Sequence, residues 1–299
     1  MPQSNREYKS SLFTMLLEDK ERALDVYNAL NDTSYDNADD LEIMKLENAV
    51  YLSFRNDASF ILEATLNIYE HQSTYNPNMP LRDLIYVANL LAGIVKDENL
   101  YGTSLVKIPL PQFVTFYNGV DKQLERVEMK LSDAYNVFTD NPQLELKCIM
   151  LNLNKGYNKE LMSRCETLKG YMTFVDKVRD YQQEMPLESA IDSAIEECIK
   201  EHILEEFMKR EKAMVRSMSV LEFNLEKQLK FMKAEGKAEG KAEGIIEFLE
   251  EMGNIPDTVK EAVLSETNLD TLKRWNKLAA RSESVEEFVK SAGIVLKKK

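Results

Sequence analysis

The apolar residues of this chain switch between two periods, and where they switch limits the fold more than any single motif does. Over residues 49–72 they alternate: Val50, Leu52 and Phe54, then Phe60, Leu62 and Ala64, then Leu66 and Ile68. Alternation marks strands with one buried face, so the spacing predicts three adjacent strands or a bent hairpin here. From Asn158 onward the apolar positions recur every three to four residues almost without interruption, as helices burying one stripe require. A sheet therefore belongs to the N-terminal half, and the C-terminal half is helical.

Flanking signals fill in the order. Leu12, Phe13, Leu16 and Leu17, then Leu24, Tyr27 and Leu30, predict a helix over 6–30. A polar, Asp-rich loop follows over 31–40. The two prolines and two asparagines of 73–80 read as a loop, and Leu84, Val87, Leu91 and Ile94 as the face of a helix over 82–96. Residues 113–117 form a buried strand closed by the turn signal Asn118-Gly119, and 144–153 another strand. Pro186 opens a helix with Leu187, Ala190, Ile191, Ala194, Ile195 and Ile199 on its apolar face. Residues 255–292 read as two or three short amphipathic helices, the last starting at a capping box of Ser284 and Glu287. Gly and Pro are scarce, 10 and 8 of 299 residues, which suits long regular elements. The expected architecture is mixed α/β over 1–157, a helical extension over 158–232, a repeat-bearing linker helix over 233–252 and a small helical subdomain over 253–299.

The net charge is −13, and residues 1–100 alone hold 17 acidic against 8 basic side chains. An acidic chain lacks the general phosphate affinity of basic DNA binders, so any nucleic-acid contact must come from a local site. The three cysteines, Cys148, Cys165 and Cys198, suit neither a disulfide scaffold nor a cysteine zinc site, and point to a reducing cytoplasm. With two histidines, His71 and His202, a multi-histidine metal site is excluded. The polar N-terminus does not read as a signal peptide. The longest apolar stretch, around Asn89 to Val95, is far below the roughly 18 residues of a membrane span.

The stretch richest in chemistry runs from Asn56 to Gln72. Glu70 and Gln72 stand two apart on one strand and so share a face. An antiparallel turn near Glu63 to Thr65 brings Asp57 alongside Glu70. Two carboxylates so placed either hold a divalent ion with water and phosphate oxygens or are simply solvated. His71 points the other way and reads as structural. Arg82 and Tyr86, at i and i+4, share a helix face. Arg82 has two readings: a bidentate phosphate ligand, or an ion pair with Asp83 or Glu70. Residues 233–244 repeat Lys-Ala-Glu-Gly three times. The glycines at 236, 240 and 244 read either as a close-packing side or, with the charged Lys and Glu, as a solvated linker helix. The helices around Trp275 and Phe288 read as a small packed subdomain, or as a dimer or DNA-positioning contact.

Asp57, Glu70-x-Gln72 and the run from His71 through Asn76-Pro77-Asn78-Met79-Pro80-Leu81-Arg82 to Tyr86 resemble the Rpn family of recombination-promoting nucleases and transposase-like proteins, within the PD-(D/E)XK nuclease superfamily. Asn5 to Lys9, Tyr27 to Asn31, Phe116-Tyr117-Asn118-Gly119 and the helical C-terminus extend the resemblance over nearly the whole chain. It implies a restriction-endonuclease-like mixed sheet flanked by helices, with an α-helical C-terminal extension. It also implies a cytoplasmic, Mg²⁺-dependent DNA endonuclease (Mn²⁺ or Ca²⁺ as alternatives) linked to recombination or transposition. Asp57 and Glu70 would hold the metal, and Gln72 would stand where the superfamily has lysine, orienting water without charge. Arg82 and Tyr86 would contact phosphate, and the C-terminal helices could join two copies. Relatives commonly have an acidic residue where this chain has Ser10. The alternative is a catalytically degenerate nuclease fold that binds DNA or protein, favoured by Ser10, by Gln72 and by the acidic charge.

Overall fold

A computed structural model of the chain describes residues 12–44 and 58–294. In its described part the helix expected over 6–30 is two helices, α1 (Leu12–Leu17) and α2 (Lys20–Asn31). Asp19 separates them. Its carboxylate accepts from the backbone N–H of Glu21 and Arg22, an N-cap that starts a new helix where apolar spacing alone would continue the old one. A two-residue strand, β1 (Glu42–Ile43), follows, too short to leave a periodic signal. The first of the three expected strands falls within 45–57, outside the described residues. The other two are β2 (Ala58–Leu62) and β3 (Thr65–Gln72), an antiparallel hairpin turned at Glu63-Ala64.

Helix α3 (Met79–Ile94) starts three residues before the expected position. Pro80 sits in its first turn, where a missing N–H leaves no bond unmade, so the loop ends at Asn78. Strand β4 (Leu110–Tyr117) extends beyond 113–117 because it pairs in parallel with β3 along its whole length. Strand β5 (Arg126–Lys130) has only Val127 and Met129 to announce it, and sequence periodicity misses it. Strand β6 (Lys147–Asn152) occupies the middle of the expected 144–153 strand. The six strands lie in the order β1-β2-β3-β4-β6-β5. β4 runs parallel to β3 and β6, and the other pairs are antiparallel.

Helices cover both faces of this mixed sheet. On one, Phe60, Leu62, Tyr69, Phe116 and Leu151 pack with α1, α2, α4 (Lys159–Arg164), α5 (Glu166–Tyr181), α6 (Leu187–Lys200) and α7 (Glu205–Arg210). Pro186 N-caps α6, as expected. On the other, α3 lays Tyr86, Val87 and Leu90 over Leu66 and Ile68, and Met79 over Tyr117, Cys148 and Met150. All three cysteines are free and buried.

The chain forms two compact units, Met1–Phe223 and Asn224–Lys299. Helices α4 to α7 share the hydrophobic core of the sheet. Helix α8 (Lys212–Met252) contains the unit boundary and the whole Lys-Ala-Glu-Gly repeat. The second unit is completed by α9 (Asp257–Leu264), α10 (Leu269–Ala279) and α11 (Val285–Ala292). The packing stripe of the repeat is its alanines. Ala238 and Ala242 continue at helical spacing into Ile245 and Leu249, and all four enter the core with Val259, Val263, Leu272, Trp275 and Phe288. Gly236 and Gly240 face open space. The Ser284 cap forms as expected, with Oγ accepting from the Glu287 N–H at 3.2 Å. Among the described residues no helix is long and apolar enough to cross a membrane.

Candidate functional site

Strand β3 sends Leu66, Ile68, Glu70 and Gln72 to the face under α3, and Tyr69 and His71 to the opposite face. Glu70 is 3% exposed. A carboxylate that far from water needs a partner, and α3 supplies it. Arg82 Nη2 donates to Glu70 Oε2 at 2.9 Å. One turn along the helix, Tyr86 Oη accepts from Arg82 Nη2 at 2.7 Å and from Nε at 3.1 Å. The Gln72 amide is satisfied at both ends when Oε1 accepts from Arg82 Nη1 at 3.0 Å and Nε2 donates to the Thr74 carbonyl at 3.3 Å. With the amide so turned, one guanidinium donates to two oxygens of the same strand face, Glu70 Oε2 and Gln72 Oε1.

The structure therefore brings together Glu70, Gln72, Arg82 and Tyr86. Of the two readings of Arg82, the ion pair forms, and its partner is Glu70. Asp57 and Ser10 lie outside the described residues. The described ladder of the β2–β3 hairpin begins with Ala58 opposite Tyr69. Carboxylate and amide oxygens are the donors that hard divalent cations such as Mg²⁺, Mn²⁺ and Ca²⁺ take, so the donor set suits the expected ion. Among the described residues no cluster of three or more His, Cys, Asp or Glu is arranged around a metal position.

Sequence reasoning passed over a second buried acid on this face. Asp83 is 1% exposed, and its Oδ2 has no hydrogen-bond partner among the described residues. Burial pushes its pKa up to about 7, against the opposing pull of a hydrogen bond from Cys148 and of the Arg82 charge. Burial and the Asp83 charge hold the Cys148 thiol far above its ordinary range, so it is no nucleophile at neutral pH. Thr115 Oγ1 lies 3.3 Å from Cys148 Sγ. The signal for Asp83 was present: it stands within the apolar stripe of Met79, Tyr86, Val87 and Leu90, where an acid must go inside with the helix face.

On the opposite sheet face, His71 is structural, as its strand position predicts. Its ring stacks on Phe13 with centroids 5.4 Å apart, and the Tyr171 hydroxyl lies 3.0 Å from Nε2. Burial lowers its pKa to about 4, with Asn118 opposing the shift and Arg179 adding to it. The imidazole is neutral at physiological pH.

Asn118-Gly119 does not close a hairpin, because β4 pairs with β3 and β6 and not with β5. The Asn118 N–H instead donates to the Gln72 carbonyl at 3.1 Å. A Cβ on Gly119 would stand 2.0 Å from the Ser73 carbonyl oxygen and 2.5 Å from Tyr117 Oη. Only glycine lets the end of β4 approach the chain that leaves β3, and this contact fixes the backbone on either side of Gln72.

Compared with known protein families, curated proteins and solved structures, the chain matches none of them.

Proposed function

We propose that the chain is a metal-dependent DNA endonuclease of the recombination-promoting type, built on a restriction-endonuclease-like core. One observation carries the reading. Glu70 and Gln72 share a face of β3 that meets Arg82 and Tyr86 of α3, at the end of an antiparallel hairpin that leads through α3 into a parallel strand. The sequence pattern from Asn56 to Tyr86 supports it independently.

In this reading Glu70 and Asp57 hold the divalent cation. Such an ion lowers the pKa of a bound water and polarises the phosphodiester. Gln72 orients the attacking water through its amide. Arg82 contacts a phosphate oxygen, and Tyr86 holds the guanidinium in place on α3. One observation favours a second reading, a DNA-binding or protein-interaction module without cleavage: Gln72 is neutral, and Arg82 engages the Glu70 carboxylate that an ion would use.

Nicking of supercoiled plasmid by the purified chain separates the two. The expected result is nicking in Mg²⁺ or Mn²⁺, none in EDTA, and loss of activity in both Asp57→Ala and Glu70→Ala. Nicking that survives both substitutions, or that no ion supports, removes this site from the mechanism.

A further inference from the structure

The Arg82 guanidinium sits where a cation is wanted. It meets Glu70 Oε2 at 2.9 Å and, with the Gln72 amide turned so that both its ends are satisfied, Gln72 Oε1 at 3.0 Å, two oxygens that β3 presents side by side under α3. A positive group at hydrogen-bond distance from both donors satisfies the carboxylate in the absence of a divalent ion. It also opposes one, because two cations at the same oxygens repel. We propose that Arg82 is the resident counter-ion of this site and competes with the divalent cation for Glu70, so that metal binding requires the guanidinium to release the carboxylate. The inference rests on the metal-site reading above and adds regulation to it: with no metal, the arginine holds the site closed.

The geometry fits such an exchange. Glu70 is fixed in the middle of the sheet, with its side chain 4% exposed, whereas the Arg82 side chain is 29% exposed. The arginine is the partner with room to move. Its bonds to Tyr86 Oη come from its own helix, so the guanidinium can leave Glu70 and still be held one turn away. Displaced there, it stands beside the site as a cation able to meet a phosphate oxygen. The arginine would then serve two states, a carboxylate partner without metal and a phosphate partner with metal and DNA.

The test is a titration of the full chain with MnCl₂ in the absence of DNA, followed by calorimetry, for the wild type, Arg82→Gln, Arg82→Lys and Glu70→Gln. Arg82→Gln removes the competing charge and is expected to bind Mn²⁺ at least tenfold more tightly, about the worth of one charge-assisted hydrogen bond. Arg82→Lys keeps the charge and should stay within a few-fold of the wild type. Glu70→Gln should lose the binding. DNA affinity measured in Ca²⁺ should move the opposite way in Arg82→Gln and weaken. A purely structural role for Arg82 would weaken both.

If Arg82→Gln binds Mn²⁺ no more tightly than the wild type while Glu70→Gln loses it, the competition is wrong and the metal site stands. If Glu70→Gln binds as the wild type does, or no form binds, the metal reading falls and the competition with it. Should Arg82→Gln fail to fold without the Arg82–Glu70 ion pair, the wild-type protein still decides. Its Arg82 Nε–H resonance, assigned by its loss in Arg82→Lys, should shift saturably as Mg²⁺ is added. A resonance that stays in place at saturating Mg²⁺ overturns the proposal.

Discussion

Replacing Asp83 with Asn should stabilise the first unit at neutral pH and leave it unchanged near pH 4. The folded carboxyl holds its proton up to about pH 7, while the ordinary value is 3.8. Between those limits the unfolded chain has released a proton that the folded chain retains, so stability falls as pH rises. The gap is about three pKa units at about 1.4 kcal/mol each, a penalty of roughly 4 kcal/mol that is complete above pH 7. Asn keeps the shape, cannot ionise, and so removes the penalty. The assay is urea unfolding followed by far-UV circular dichroism at pH 4.5, 6 and 7.5. Trp275, the one tryptophan, lies in the second unit, and its fluorescence transition should not change. The advantage of the variant should grow by about 1.4 kcal/mol per pH unit from pH 4.5 toward 7 and level off above it. An advantage that does not depend on pH, or a variant less stable at pH 7.5, refutes the reasoning. His71 tilts the other way. Its pKa is lowered from 6.5 to about 4, so its contribution is present above pH 6.5 and is lost as pH falls toward 4. The two groups oppose each other in the wild type, and the Asp83→Asn profile should rise with pH where the wild-type profile is flatter.

Gly119→Ala should destabilise the first unit by about 3 kcal/mol, the upper end of overpacking costs, because the new methyl meets the backbone oxygen of Ser73 at 2.0 Å; a melting temperature within a degree of the wild type would contradict this. Gly240→Ala should stabilise the second unit by about 0.5–1 kcal/mol, since its Cβ would stand in open space inside α8; Trp275 fluorescence reads the change, and a loss of stability would mean that the glycine packs against something.

What the sequence made legible follows from which signals are local. The β2–β3 hairpin and the shared face of Glu70 and Gln72 follow from a period of two. The cap at Ser284 and the start of α6 at Pro186 follow from single residues. Strand β5 stayed hidden because its pairing with β6 is long-range and only Val127 and Met129 alternate. The break at Asp19 was hidden by an apolar pattern that continues across it. In the repeat, the glycines drew attention by their rarity, but Ala238 and Ala242 carry the contact, because they extend the stripe of Ile245 and Leu249. At the site, spacing put Arg82 and Tyr86 on one helix face. It could not tell whether Arg82 meets phosphate or carboxylate, because that depends on how α3 crosses β3. Asp83 was legible in principle, since it stands within the apolar stripe of Met79, Tyr86, Val87 and Leu90 that α3 turns to the sheet.

The cation site proposed at the Glu70 carboxylate is held by Arg82 in this structure. The most direct measurement is anomalous scattering at the manganese edge from crystals of the full chain grown with MnCl₂. The expected result is a peak within coordination distance of the Glu70 carboxylate, with the Arg82 guanidinium withdrawn from it. No peak there, with Arg82 still on Glu70 at saturating Mn²⁺, would contradict it.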